Sequence, residues 1–180
     1  QLDGGVGDFK GRIVQNGRSV PVDAGAVIVA TGGRPYEPTE FHYGAHPGIL
    51  TQLELEERFL AGPARLPRVT VMIQCVGSRS EEFPMCSRVC CSAAVKNAIR
   101  LLEEKPGAAV YVLYRDIRTF GFKEEYYRKA RDLGAVFVRF EPDAPPDVRL
   151  EDGRIDVSVF DPSSGLELRI SPDALVLSGG

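Results

Sequence analysis

Apolar residues recur along this chain with two different periods, and the places where the period changes mark its elements. Phe9 to Val14 and Ser19 to Val22 alternate around Gln15-Asn16-Gly17-Arg18. An Asn-Gly between two such segments is a strong hairpin signal, so a small β-element is expected at the start. Ala26-Val27-Ile28-Val29-Ala30 is apolar throughout and ends in Thr31-Gly32-Gly33. That pattern predicts a buried strand whose C-terminal turn admits a close neighbour, because two successive residues lack a Cβ. Residues 34 to 67 carry five prolines, two histidines and one amphipathic stretch, Gln52 to Leu60; they predict a linker with a short helix and a domain boundary near Pro63 to Pro67.

Strands and helices then alternate. Val69 to Ile73 reads as a strand, and Cys86 to Glu104 as a helix with Cys91, Val95, Ile99 and Leu102 on one stripe, ended by Lys105-Pro106-Gly107. Ala109 to Tyr114 is a second strand, Lys123 to Leu133 a second helix closed by Gly134, and Ala135 to Phe140 a third strand. From Val148 to Ile170, Asp-Gly and Ser-Gly turns separate alternating segments, which predicts an antiparallel meander before a last strand, Ala174 to Leu177. The fold class is therefore α/β: a Rossmann-like βαβαβ half, a β meander and a return strand, the element order of the pyridine-nucleotide domain of flavin disulfide reductases. By that analogy residues 1–66 hold a partial FAD-domain segment and linker, and residues 67–180 a Rossmann-like NAD(P)-binding-type domain. The Gly-rich opening and the close at Leu175-Val176-Leu177-Ser178-Gly179-Gly180, a strand running into a turn, read as the ends of a piece of a longer protein.

Composition narrows the functional classes. With 180 residues, 43% of them hydrophobic, the chain can bury an ordinary core. A formal net charge of -3 gives no basic field for nucleic acid. No apolar run approaches the roughly 20 residues needed to cross a bilayer, so a cytoplasmic, soluble protein is expected.

All four cysteines lie between Cys75 and Cys91, spaced C-x10-C-x3-C-C. With a helix starting near Cys86, Cys86 and Cys90 stand one turn apart and Cys91 about 100° around the axis, so three thiolates can converge at a helix N-terminus. Cys75, at a strand end, can add a fourth. The helix N–H groups, Arg79 and Arg88 would offset the charge of a thiolate-ligated metal. Four sulfurs suit a [4Fe-4S] cluster or structural zinc; zinc sites mostly use C-x2-4-C pairs, which are missing here. Buried apolar cysteines and a low-pKa catalytic thiol are the remaining readings.

A dinucleotide site requires G-x-G-x-x-G straight after the first strand. Here that place holds Cys75-Val76-Gly77-Ser78-Arg79-Ser80 and a further stretch to Met85, with Gly77 alone in place. The loop argues against NAD(P) in the ordinary pose. Arg115 and Asp116 follow the second strand, where a carboxylate can hold a ribose diol and an arginine a ribose phosphate. His42 and His46 have no companion Ser or Cys arrangement and are assigned no role.

The stretch VMIQCVGSRS...CSRVCCSAAVKNAIRLLEE, followed by VYVLYRDIRTFGFKEEYYRKARDLGAVFVRF, resembles the HdrA family of heterodisulfide reductase proteins across about residues 25 to 180. The resemblance implies an FAD- and iron-sulfur-dependent oxidoreductase that moves electrons between FAD and [4Fe-4S] centres, with flavin-based electron bifurcation and heterodisulfide reductase, hydrogenase or formate dehydrogenase partners. It implies Cys75, Cys86, Cys90 and Cys91 as cluster ligands and Ala30-Thr31-Gly32 as the turn approaching FAD. The N-terminal flavin fingerprint and the ferredoxin-like cysteine motifs are not among these residues, so the chain alone is expected to be inactive. A homodimer is also compatible with the sequence. A structural or docking module, with zinc or nothing on its cysteines, is the competing class.

Overall fold

A computed structural model describes residues 2–179; Gln1 and Gly180, the outer ends of the two domains expected from the sequence, lie outside the described residues. The chain forms two compact units, Gln1–Arg34 and Pro35–Gly180.

In the first unit three antiparallel strands, β1 (Leu2–Gly5), β2 (Asp8–Gln15) and β3 (Arg18–Ala24), pair in sequential order. Asn16 (φ 50°) and Gly17 (φ 75°) both take the left-handed conformation that a two-residue hairpin turn needs, which is why Asn-Gly occurs there. The strand expected at 26–30 is not formed. Those residues are irregular, and Val27, Ile28 and Val29 are 43%, 89% and 81% exposed. An apolar run becomes a strand only when a neighbour accepts its backbone hydrogen bonds, and none of the described strands pairs with this one.

The second unit is built on a parallel sheet in the order β4-β11-β5-β6-β7, from Ile49–Thr51, Ala174–Gly179, Val69–Val76, Ala109–Tyr114 and Val136–Arg139. Three helices, α1 (Gln52–Leu60), α2 (Cys90–Glu104) and α3 (Glu124–Asp132), supply its helical elements. Alternation along the strands divides the core. Met72, Val110, Val112 and Val176 pack with Leu55, Phe59, Val95, Ala98, Leu101 and Ala130 of the helices. Val71, Ile73, Leu113, Leu175 and Leu177 cluster with Val148, Ile155, Val157 and Val159 of the meander β8 (Asp147–Glu151), β9 (Arg154–Asp161), β10 (Leu166–Ile170). The architecture is thus helices, parallel sheet and antiparallel meander in layers, the α/β class expected.

Two boundaries differ from the sequence reading. The compact division falls at Arg34/Pro35, ahead of Pro63 to Pro67, because β4 pairs in parallel with β11 and α1 packs against α2. The turn from β4 into α1 is fixed by a capping box: the Glu54 N–H donates to Thr51 Oγ1 (3.2 Å) and the Thr51 N–H to Glu54 Oε2 (2.6 Å). Helix α2 starts at Cys90 and not at Cys86. Residues 83–87 are irregular, and Arg88 has φ 61°, a left-handed residue that a right-handed helix cannot contain.

Candidate metal centre

The C-terminal end of β5 departs from strand geometry at the first cysteine. Cys75 is buried with φ 64°, the pairing with β11 shifts register between Ser178 and Gly179, and the Ser78 N–H closes a turn on the Cys75 carbonyl (3.3 Å). A left-handed non-glycine residue costs about 1–2 kcal/mol and persists only where its surroundings enforce it. Arg79 and Arg88 also have positive φ, so strain gathers in this loop.

Cys90 and Cys91 occupy the first turn of α2 and are buried. Cys90 accepts a hydrogen bond from the Cys91 thiol, and the Ser87 hydroxyl and the N–H groups of Cys90 and Cys91 add to it, lowering its pKa to about 6. Cys91, the donor in that pair and buried, is pushed up. Burial raises Cys75, opposed by a hydrogen bond and the charge of Arg79, whose Nη1 lies 3.7 Å from its sulfur. The charge of Cys90 acts on Cys75, and both act on Cys91. Three of the four expected ligands therefore share one electrostatic site. Cys86 does not join them as the sequence argument expected: it stands off the helix, half-buried in the loop, so the one-turn relation to Cys90 is lost. Among the described residues no three His, Cys, Asp or Glu side chains converge closely enough to hold a metal as the chain stands. The donor set fits a thiolate-ligated metal, with the fourth sulfur on the adjoining loop.

Arg115 and Asp116 sit beside this centre. Asp116 pairs with Arg79 and, at 3.2 Å, with Arg118; Arg115 Nη1 donates to the Arg79 carbonyl (2.9 Å). The Cys91 thiol lies 3.9 Å from the Asp116 carbonyl. These residues tie the loops after β5 and β6 together around the cysteines, a role that periodicity does not reveal. Arg88 is exposed. Gly77 (φ 64°) has no room for a Cβ, because the ring of Tyr36 already fills that place. Ala30, Thr31 and Gly32 are exposed in the irregular end of the first unit. His42 Nε2 lies 3.1 Å from the Val148 carbonyl, and His46 Nδ1 accepts from the Gly48 N–H (3.0 Å), so both serve the backbone.

The fold defines the class. Pseudomonas syringae L-lysine 6-monooxygenase aligns at a TM-score of 0.57 with 12% identity, over 95% of this chain and 51% of that one. Lactococcus lactis thioredoxin reductase aligns at 0.50 with 17% identity, over 99% and 51%. This is the architecture of FAD- and NAD(P)-dependent oxidoreductases. No family model matches the chain. Within that class the chain is a homologue of HdrA, a component of heterodisulfide reductase. It is 39% identical over 94% of its length to the HdrA protein of the H(2)/formate:CoB-CoM heterodisulfide,ferredoxin reductase of Methanococcus maripaludis. It is 35% identical over 94% to the iron-sulfur protein HdrA of the CoB–CoM heterodisulfide reductase of Methanocaldococcus jannaschii. The chain spans 28% of the length of each of these two relatives.

Proposed function

We propose that this stretch serves a flavin- and iron-sulfur-dependent oxidoreductase as an electron relay, with Cys75, Cys86, Cys90 and Cys91 as ligands of a [4Fe-4S] cluster. The observation that carries the reading is the shared site of Cys75, Cys90 and Cys91 at the N-terminus of α2, with Cys90 already biased toward thiolate, the ligating form. The cluster, when bound, supplies one-electron storage and transfer. The protein's part is to hold the sulfurs, to offset their charge with helix N–H groups and Arg79, and to exclude water at Cys75, Cys90 and Cys91. Ala30, Thr31 and Gly32 belong to the turn that approaches FAD in the whole protein, and Gly77, Arg115 and Asp116 to the loops framing the relay. NAD(P) has no place in this reading, since Tyr36 stands where a pyrophosphate would approach Gly77. The name of the Methanococcus relative, part of a heterodisulfide and ferredoxin reductase, supports flavin-based bifurcation in a complex with heterodisulfide reductase, hydrogenase or formate dehydrogenase partners.

The test is electron paramagnetic resonance of the dithionite-reduced, anaerobically reconstituted chain beside its four single Cys→Ser variants. A cluster signal lost or altered in each variant is expected. Stoichiometric zinc with no signal would instead establish the structural or docking module.

A further inference from the structure

The left-handed Cys75 turn needs something to hold it, and the neighbouring backbone shows what that is. Tyr36 lies between two prolines, Pro35 and Pro38, which restrict the chain around it. A Cβ on Gly77 would overlap its ring, and one on Gly179 would stand 3.1 Å from its Cβ and Cδ1. The ring therefore packs on the ends of two adjacent strands at the point where their pairing shifts, Val76 of β5 opposite Gly179 of β11. Cys75 is the residue immediately before that shift and Gly77 the one after it. The tyrosine hydroxyl donates to Glu40, 3.1 Å from each carboxylate oxygen, and Glu40 accepts the Thr39 N–H (2.9 Å). Its polar end is thus satisfied within its own segment and its apolar ring is left to bear on the sheet. The segment is anchored further along by Phe41 and Tyr43 in the meander core and by the Tyr43 hydroxyl on Glu54 (3.0 Å).

We infer that Tyr36 is a positioning residue for the cysteine centre: its ring, clamped over Gly77 and Gly179, holds the left-handed turn that keeps the Cys75 sulfur turned into the protein. As a role toward the cluster, this rests on Cys75 being a ligand; as a statement about the turn, it does not.

The experiment separates the two. In the metal-free full chain at fixed pH, iodoacetamide modification of Cys75 is followed by peptide mass spectrometry, with Cys91 as internal reference for global opening. In Tyr36→Ala the Cys75 rate, relative to Cys91, rises about tenfold or more as the turn opens locally. In Tyr36→Phe, which keeps the ring, it stays within about twofold of wild type. A ratio unchanged in folded Tyr36→Ala overturns the inference, and so does Tyr36→Phe behaving like Tyr36→Ala. If Tyr36→Ala does not fold, Tyr36→Leu, which fills the space without an aromatic face, is read by the same two criteria. Iron reconstitution of the same proteins then shows whether the cluster signal of Tyr36→Ala differs from wild type. A wild type that takes up no iron removes the relay reading and leaves the alkylation result standing.

Discussion

Gly77→Ala puts a methyl group where two independent costs add. The backbone there is left-handed, φ 64°, which an alanine adopts at a cost of about 1–2 kcal/mol. The new Cβ would also fall inside the Tyr36 ring, and overpacking of this kind costs about 1–3 kcal/mol even after neighbours shift. The sum is about 2–5 kcal/mol of unfolding free energy, a large part of what holds a domain of this size together. Gly107→Ala is the matched control: φ is 78°, but nothing lies within 4 Å of the added methyl, so only the backbone cost of about 1–2 kcal/mol applies. Urea unfolding of both variants, followed by circular dichroism, measures the difference. Pairing Gly77→Ala with Tyr36→Ala should recover the overlap component alone. If Gly77→Ala is no less stable than Gly107→Ala, the ring does not occupy the space against Gly77.

Three further outcomes are expected. The metal-free Cys90 thiol should alkylate with a midpoint near pH 6, and Cys91→Ala should move that midpoint upward by removing the leading donor; a wild-type midpoint near that of a free thiol contradicts the geometry. Burial would raise Glu54, but the Thr51 N–H and hydroxyl, the Tyr43 hydroxyl and Arg58 outweigh it and lower its pKa. Its contribution to stability is therefore present above the unfolded carboxylate pKa and lost as pH falls through the folded value, and Thr51→Ala should cost about 1 kcal/mol at neutral pH and less in acid. Ser178→Ala removes the acceptor shared by the buried amides of Gln52 (2.8 Å) and Gln74 (2.7 Å) and should cost about 1–3 kcal/mol, measured by the same urea titration.

What the sequence shows here and what it hides divide along the range of the interactions involved. Helix α1 is legible residue for residue, because Thr51 and Glu54 cap it locally and its apolar face recurs at helical spacing. β6 and the meander turns are legible for the same reason. The run at 26–30 misleads because its composition records a demand for burial, while strand formation depends on a neighbour that local pattern does not name. The start of α2 misleads because Cys86 and Cys90 fit helical spacing, yet Pro84 and the left-handed Arg88 keep the loop extended up to Val89. β4 is three residues long, too short for any period to declare. Of the site, the cysteine cluster is visible as a spacing. The Asp116 link between Arg79 and Arg118 and the Tyr36 ring on Gly77 depend on loops that only the folded topology brings together.

Metal analysis of the full chain after anaerobic reconstitution with iron and sulfide, in the presence of competing zinc, bears most directly on the relay. About four irons and four sulfides per chain, falling sharply in Cys90→Ser, are predicted. A folded wild type that excludes iron, or binds one zinc in its place, contradicts it.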